Sequence, residues 1–302
     1  MTEPSPTQLV QDLVDLLRLE QLGANRFRGG TEDIGTVNVF GGQVLGQALM
    51  AASRTVDATR PIHSLHAYFL LPGDKREPIE YEVDRVRDGR SFATRRVVAM
   101  QKGRTIFTMM ASFHAAEAGA FEHQTPMPAA PAPETLVSDV SQRRITLDGM
   151  PDFPNREKLT EERPIEFRTV DPPNFLRPEP RPADCQIWLR ALTALPDDPA
   201  LHCAMLAYAS DRGLLRAALL PHGLSFMQPR MRGASLDHAM WFHRDFRIDD
   251  WLLYCIDSPS GGASRALCRG EIYARDGRLV VSVAQEGVLR VATPAARSPQ
   301  TH

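Results

Sequence analysis

Residues 81–96, YEVDRVRDGRSFATRR, come back as residues 254–269, YCIDSPSGGASRALCR. Tyr81 meets Tyr254, Asp84 meets Asp257, Gly89 meets Gly262 and Ser91 meets Ser264, each 173 positions on. Ala93 with Ala266, Arg96 with Arg269 and, upstream, Phe69 with Phe242 keep the same offset. One extra residue in the next turn moves it to 174, where Gly103-Arg104 meet Gly277-Arg278, Ile106 meets Val280 and Ala111 meets Gln285. Identities that hold turn positions in step mark a repeated supersecondary unit. The chain therefore carries two copies of one fold.

Working outward, residues 65–71, 78–87, 91–101 and 104–114 have strand patterns, broken by turn pairs such as Asp88-Gly89 and Lys102-Gly103. They predict an antiparallel meander. Ahead of it, Gly41-Gly42-Gln43 opens a stretch in which Val44, Leu45, Ala48, Leu49 and Ala52 recur at helical spacing. Leu9, Val10, Leu13, Leu16 and Leu17 predict a further helix over residues 7–19. The second copy shows strands at 165–170, 185–195, 237–244, 250–258, 264–274 and 278–291, and a helix over 199–219. Between the copies lies the proline-rich run PMPAAPAPE, which cannot supply ladder donors. The expected units are residues 1–115, a linker over 116–165, and residues 166–302.

At 302 residues, 43% hydrophobic and 24% charged, the chain can bury the cores of two units of about 110 to 150 residues. A net charge of −2 leaves no excess of Lys and Arg for a phosphate backbone, so nucleic acid is not an expected partner. Cys185, Cys203, Cys255 and Cys268 lack the spacing of a disulfide framework or a zinc site. No metal or other cofactor is expected. The start lacks a basic region followed by an apolar run, no segment is apolar enough to span a bilayer, and SPQTH at the end is no peroxisomal tripeptide. The expected location is the cytoplasm.

Duplication is most informative where the copies differ. In LVVSVAQEGVL, strand alternation puts Val281, Val283 and Gln285 on one face, so a primary amide points where an apolar residue is expected; its counterpart is Ala111. Asp211 falls three and four residues from Ala207, Tyr208, Leu214 and Leu215, on the helix stripe that should face the sheet. Burying that carboxylate costs several kcal/mol, on the order of desolvated-charge penalties, unless hydrogen bonds compensate it. A looser alignment of the two helices sets Ala51 against it. Singly, a buried Asp or Gln is as often a structural tie as a catalyst; two in one copy point to a site. Ser235 stands just ahead of DHAMWFH, where a hydroxyl can approach the same place; alone it reads as a turn residue, and no G-x-S-x-G makes it a nucleophile. His63 and His66 are the remaining acid–base candidates and rank below Asp211.

The stretches VFGGQVLGQAL, HSLHAYFLLPGD, DGRSFATRRVVAMQKG, AYASDRGLL, LDHAMWFHR, DDWLLYCIDS and VAQEGVLR carry a resemblance. From near residue 8 to near residue 292, the sequence resembles the acyl-CoA thioesterase II family. The resemblance implies an α+β tandem (double) hotdog, in which a long helix is wrapped by an antiparallel sheet in each copy. It also implies hydrolysis of fatty acyl-CoA, a reaction of lipid metabolism, to free fatty acid and CoA. The family's water-orienting Asp, Ser or Thr, and Gln fall on Asp211, Ser235 and Gln285, and an accessory histidine falls on His63. The water attacks directly, with no covalent intermediate. Backbone N–H groups at the Gly42-Gln43 helix start are the expected oxyanion donors. A dimer or tetramer is expected, since tandem hotdog cores commonly pair further. Two other readings share the fold: a hotdog enoyl-CoA hydratase, which would need an Asp/His pair near one helix start, and a non-catalytic acyl-CoA-binding protein, which would carry a DNA-binding segment or basic face.

Overall fold

The computed structural model describes residues 4–292. The outermost residues of the two expected units, 1–3 and 293–302 with the terminal SPQTH, lie outside the described residues. In chain order the first copy has helix α1 (Pro6–Leu17), strands β1 (Glu20–Gly23) and β2 (Arg26–Gly29), helix α2 (Gly41–Ser53), and strands β3 (Ile62–Phe69), β4 (Ile79–Asp88), β5 (Phe92–Gln101) and β6 (Arg104–His114). Two short helices follow, α3 (Asp139–Thr146) and α4 (Arg156–Thr160). The second copy has β7 (Ile165–Thr169), β8 (Asp184–Ala191), helix α5 (Pro199–Ser210), β9 (Met231–Ser235), β10 (Asp237–Phe242), β11 (Leu252–Gly262), β12 (Arg265–Ala274) and β13 (Leu279–Val291).

The strands form one antiparallel sheet in the order β1-β2-β4-β5-β6-β3-β10-β13-β12-β11-β8-β7, with β9 also paired to β13. The copies meet where β3 lies beside β10, and there His66 stands opposite Ala239, its own equivalent 173 positions on. The register inside each copy repeats too: Arg95 faces Ala111 in one, and Cys268 faces Gln285 in the other. The alignment from turn pairs thus holds across the sheet.

Local chemistry starts and stops the helices. Ser5 caps α1 by accepting the Gln8 N–H, with Pro6 in the first turn, and Val10, Leu13, Val14 and Leu17 turn inward. Asp198 caps α5 through the N–H groups of Ala200 and Leu201. That helix runs only to Ser210, not to 219 as expected. Gly213 takes φ +87° in the left-handed region, and a 3-10 run from Leu214 to His222 follows. The leucine spacing continues through the break, so the sequence pattern conceals it.

α2 and α5 cross inside the wrap of the sheet, and Leu45, Leu49, Met205 and Leu206 join one core cluster that extends through both copies. The approach is close because α2 carries glycine there. A Cβ at Gly42 would stand 2.3 Å from the Tyr208 carbonyl oxygen, and one at Gly46 would stand 2.9 Å from that of Ala204.

The segment between the copies lies on the outer face of the second copy's sheet. Trp188 Nε1 donates to the Pro131 carbonyl (2.9 Å) and Gln124 Nε2 to that of Gly277 (2.7 Å). Met127, Ala130 and Leu136 cover a second apolar cluster of Trp188, Trp251, Leu253, Tyr273 and Leu279. The proline run is a cover as well as a connection.

Candidate active site

Asp211 is the C-cap residue that follows α5, and its side chain leaves the helix toward the seam between the copies. Its Oδ1 accepts two hydrogen bonds, from Gln285 Nε2 at 2.7 Å and from Ser235 Oγ at 3.2 Å. Gln285 is fully buried on β13, in the alternation expected, with Val281 and Val283 inward beside it. Ser235 ends β9 opposite Gly287, two residues past Gln285. The three residues singled out from the sequence therefore meet. Their counterparts do not reproduce the group: Ala51, Ile62 and Ala111 are all buried and apolar.

The other carboxylate oxygen faces the first copy. A Cβ at Gly41 would stand 2.7 Å from Asp211 Oδ2 and 3.0 Å from the Phe69 ring, so only glycine fits at this point of α2. Phe40, at the cap position of α2, offers no side-chain hydrogen bond to the first-turn amides. Its ring meets Tyr208 edge-on at 5.1 Å. Among the described residues no acceptor takes the N–H of Gly41 or Gly42, which belong to the orphan donors of a helix start. Gln43 is different. Its backbone N–H donates to the Phe40 carbonyl at 3.1 Å, and its side chain is tied to Gly30 and Glu32. Of the two expected oxyanion donors, the amide of Gly42 is the open one.

Gln285 Oε1 is buried without a hydrogen-bond partner among the described residues. An acceptor left open beside a carboxylate suits a molecule that donates to both, such as water. Among the described residues, no three His, Cys, Asp or Glu side chains gather into a metal set.

His63 stands apart from this group. Its Nε2 lies 2.8 Å from Ser112 Oγ and its ring meets Phe92 and His114 edge-on, on the opposite face of the sheet from Ala111. His66 is exposed and faces Trp241. A cavity of about 830 Å³, lined by Trp241, Glu271 and Ser282 among others, contains none of Asp211, Ser235 and Gln285.

The sequence did not single out His238, which is fully buried with Nε2 3.0 Å from Ser210 Oγ. A signal existed: alternation along β10 turns His238 inward with Met240, and its counterpart is Leu65. Burial holds its pKa down to about 4, against the opposing pull of the Asp211 charge.

The fold and this group define the class: a tandem hotdog with a single carboxylate, hydroxyl and amide group at the seam between its copies, opposite an uncapped helix start. Comparison with known proteins agrees. The acyl-CoA thioesterase family model matches residues 159–288, and the model of the acyl-CoA thioesterase N-terminal domain matches 28–114. Acyl-CoA thioesterase 2 of Haemophilus influenzae is 39% identical over 284 residues, covering 94% of this chain and 99% of its own. Acyl-coenzyme A thioesterase 8 of Mus musculus is 39% identical, covering 92% of this chain and 89% of its own. A crystal structure of an acyl-CoA thioesterase II from Mycobacterium marinum superposes with a TM-score of 0.76 at 43% identity, covering 94% of this chain and all of that one. The chain belongs to the acyl-CoA thioesterase II family and is a thioester hydrolase.

Proposed function

We propose that the chain hydrolyses fatty acyl-CoA to free fatty acid and CoA with a water activated by Asp211. The observation that carries this is the double acceptance at Asp211 Oδ1 from Gln285 and Ser235, which leaves Oδ2 facing the first-copy helix start. Fixed donors on one oxygen hold the carboxylate still and keep the other free for a proton. A water donating to Asp211 Oδ2 and to Gln285 Oε1 has its lone pair free for the thioester carbon. As it attacks, Asp211 takes its proton and the carbonyl oxygen becomes an oxyanion. The Gly42 N–H, at the positive end of α2, stabilises that charge. Collapse breaks the C–S bond, and the proton on Asp211 passes to the CoA sulfur.

Against a hydratase weighs the placement of His238, the histidine that feels the Asp211 charge: it is sealed in the core and turned to Ser210. An accessory role for His63 would have to act from the other face of the sheet, and we assign it no proton-transfer step. We take the folding units as residues 1–115 and 166–302, joined by 116–165. The four unpaired cysteines fit a reducing cytoplasm. Among the described residues no helix is long and apolar enough to cross a membrane. Exposed Tyr68, Met110 and Trp241 on the sheet's outer face fit a dimer or tetramer, which the mass in solution decides.

The test is release of CoA thiol from saturated acyl-CoAs by the wild type and by Asp211→Asn. The amide keeps the shape but cannot take a proton, so turnover is expected to fall roughly 100-fold or more. Equal release by both proteins would remove Asp211 from the chemistry.

A further inference from the structure

Ser210 is the last residue of α5 and Asp211 follows it, so whatever fixes Ser210 fixes the root of the candidate base. Tyr254 donates its hydroxyl to the Ser210 carbonyl at 3.3 Å. Ser210 Oγ donates to the Ala207 carbonyl at 3.0 Å, and His238 Nε2 lies 3.0 Å from the same Oγ. His238 Nδ1 has no partner among the described residues.

A serine hydroxyl carries one proton. With that proton on the Ala207 carbonyl, Nε2 of His238 must carry the ring proton and donate to Oγ, leaving Nδ1 a bare lone pair. The other tautomer would bury an unpaired N–H, the costlier arrangement. The ring therefore acts as a fixed, neutral donor. Packing alone does not call for it, because the first copy fills the equivalent position with Leu65, buried just as fully. The Ser210–His238 pair joins Ser235 and Gln285 as a polar feature for which the first copy has no parallel.

We propose that His238 is a positioning residue for Asp211: its ring N–H holds Ser210 Oγ, and through Ser210 it sets the direction in which the carboxylate leaves the helix and aims Oδ2 at the start of α2 beside Gly41. The inference rests on the assignment of Asp211 as the base.

The experiment measures kcat and KM for thiol release by His238→Leu, Ser210→Ala and His238→Gln, each in the wild-type and the Asp211→Asn background. His238→Leu should lower kcat about tenfold or more with KM within about twofold, as expected when only the reacting geometry is lost. His238→Gln, whose amide can donate to Oγ, should recover most of that loss. In the Asp211→Asn background the effect of His238→Leu should vanish, because two residues that act through one group are not additive. If His238→Leu does not fold, Ser210→Ala, which deletes only the hydroxyl, carries the same expected split. A folded His238→Leu with kcat within about twofold of wild type, or an equal loss in both backgrounds, overturns the inference. Unchanged turnover in Asp211→Asn sinks the base assignment and this inference with it, whereas a neutral His238→Leu beside an inert Asp211→Asn sinks this inference alone.

Discussion

Burial lowers the His238 pKa from the ordinary 6.5 to about 4, because a cation in the core would lose its hydration. In the unfolded chain the ring takes its proton near 6.5, while the folded ring waits until about 4. Between those values the unfolded chain binds more protons, so this contribution is whole above pH 6.5 and is lost as pH falls toward 4. The shift corresponds to about 3 kcal/mol at most. His63, His202 and His243 are also held down by burial, so the comparison must be with a variant that keeps them. His238→Leu should lose less stability than wild type in urea unfolding between pH 7 and about 4.5; identical losses would mean the ring is not buried as described. At this scale Asp211 and Gln285 stood out as candidates because polar residues interrupted apolar patterns, whereas Ser235 read as a turn residue on its own and joined them only through the family resemblance. His238 interrupted one in the same way, but a lone histidine on a strand is more often structural. The engagement of the Gln43 amide with Phe40 depends on the angle at which the chain enters α2, which residue types do not encode.

The crossing of α2 and α5 is where two elements form the candidate site together, since Gly41 opens one and Asp211 caps the other. Gly46→Val would force a Cβ to within 2.9 Å of the Ala204 carbonyl and of Leu17 Cδ2, neither of which can move freely. The helices must then part, at a cost of roughly 1–3 kcal/mol in stability. The separation of Gly42 from Asp211 grows with them, so kcat at a temperature where the variant is fully folded should also fall. Thermal unfolding and kinetics on one sample check both; a loss of stability with kcat unchanged would show that the crossing does not set the site. The meander strands were legible because turn pairs and alternation agree with tertiary pairing. β1 and β2, with sequences EQLG and RFRG, were not, since Phe27 is their one fully buried side chain and no alternation can build on it. β9 was missed for a related reason: of MRGAS only Met231 is buried, and its strand form comes from pairing with β13. The end of α5 was hidden by leucines that serve the 3-10 run as well as they would a helix.

One sheet made of two copies could hold two sites, and the whole molecule argues for one. The first-copy counterparts Ala51, Ile62 and Ala111 offer neither a base nor an acceptor, while that copy supplies the uncapped start of α2. In the mechanism we propose, each copy contributes a different half: the first gives the open amide, the second gives the carboxylate with its hydroxyl and amide donors. With the work divided this way, the three polar residues of the proposed site impose their burial cost once per chain, while the first copy keeps apolar side chains at the equivalent positions. The consequence is a stoichiometry. Asp211→Asn, which binds substrate without consuming it quickly, should take up one acyl-CoA per chain in calorimetric titration, and the same substitution should remove nearly all turnover. Two acyl-CoA per chain, or a variant that keeps half of wild-type activity, would mean that the first copy has a working site of its own and that its alanines are no obstacle to chemistry.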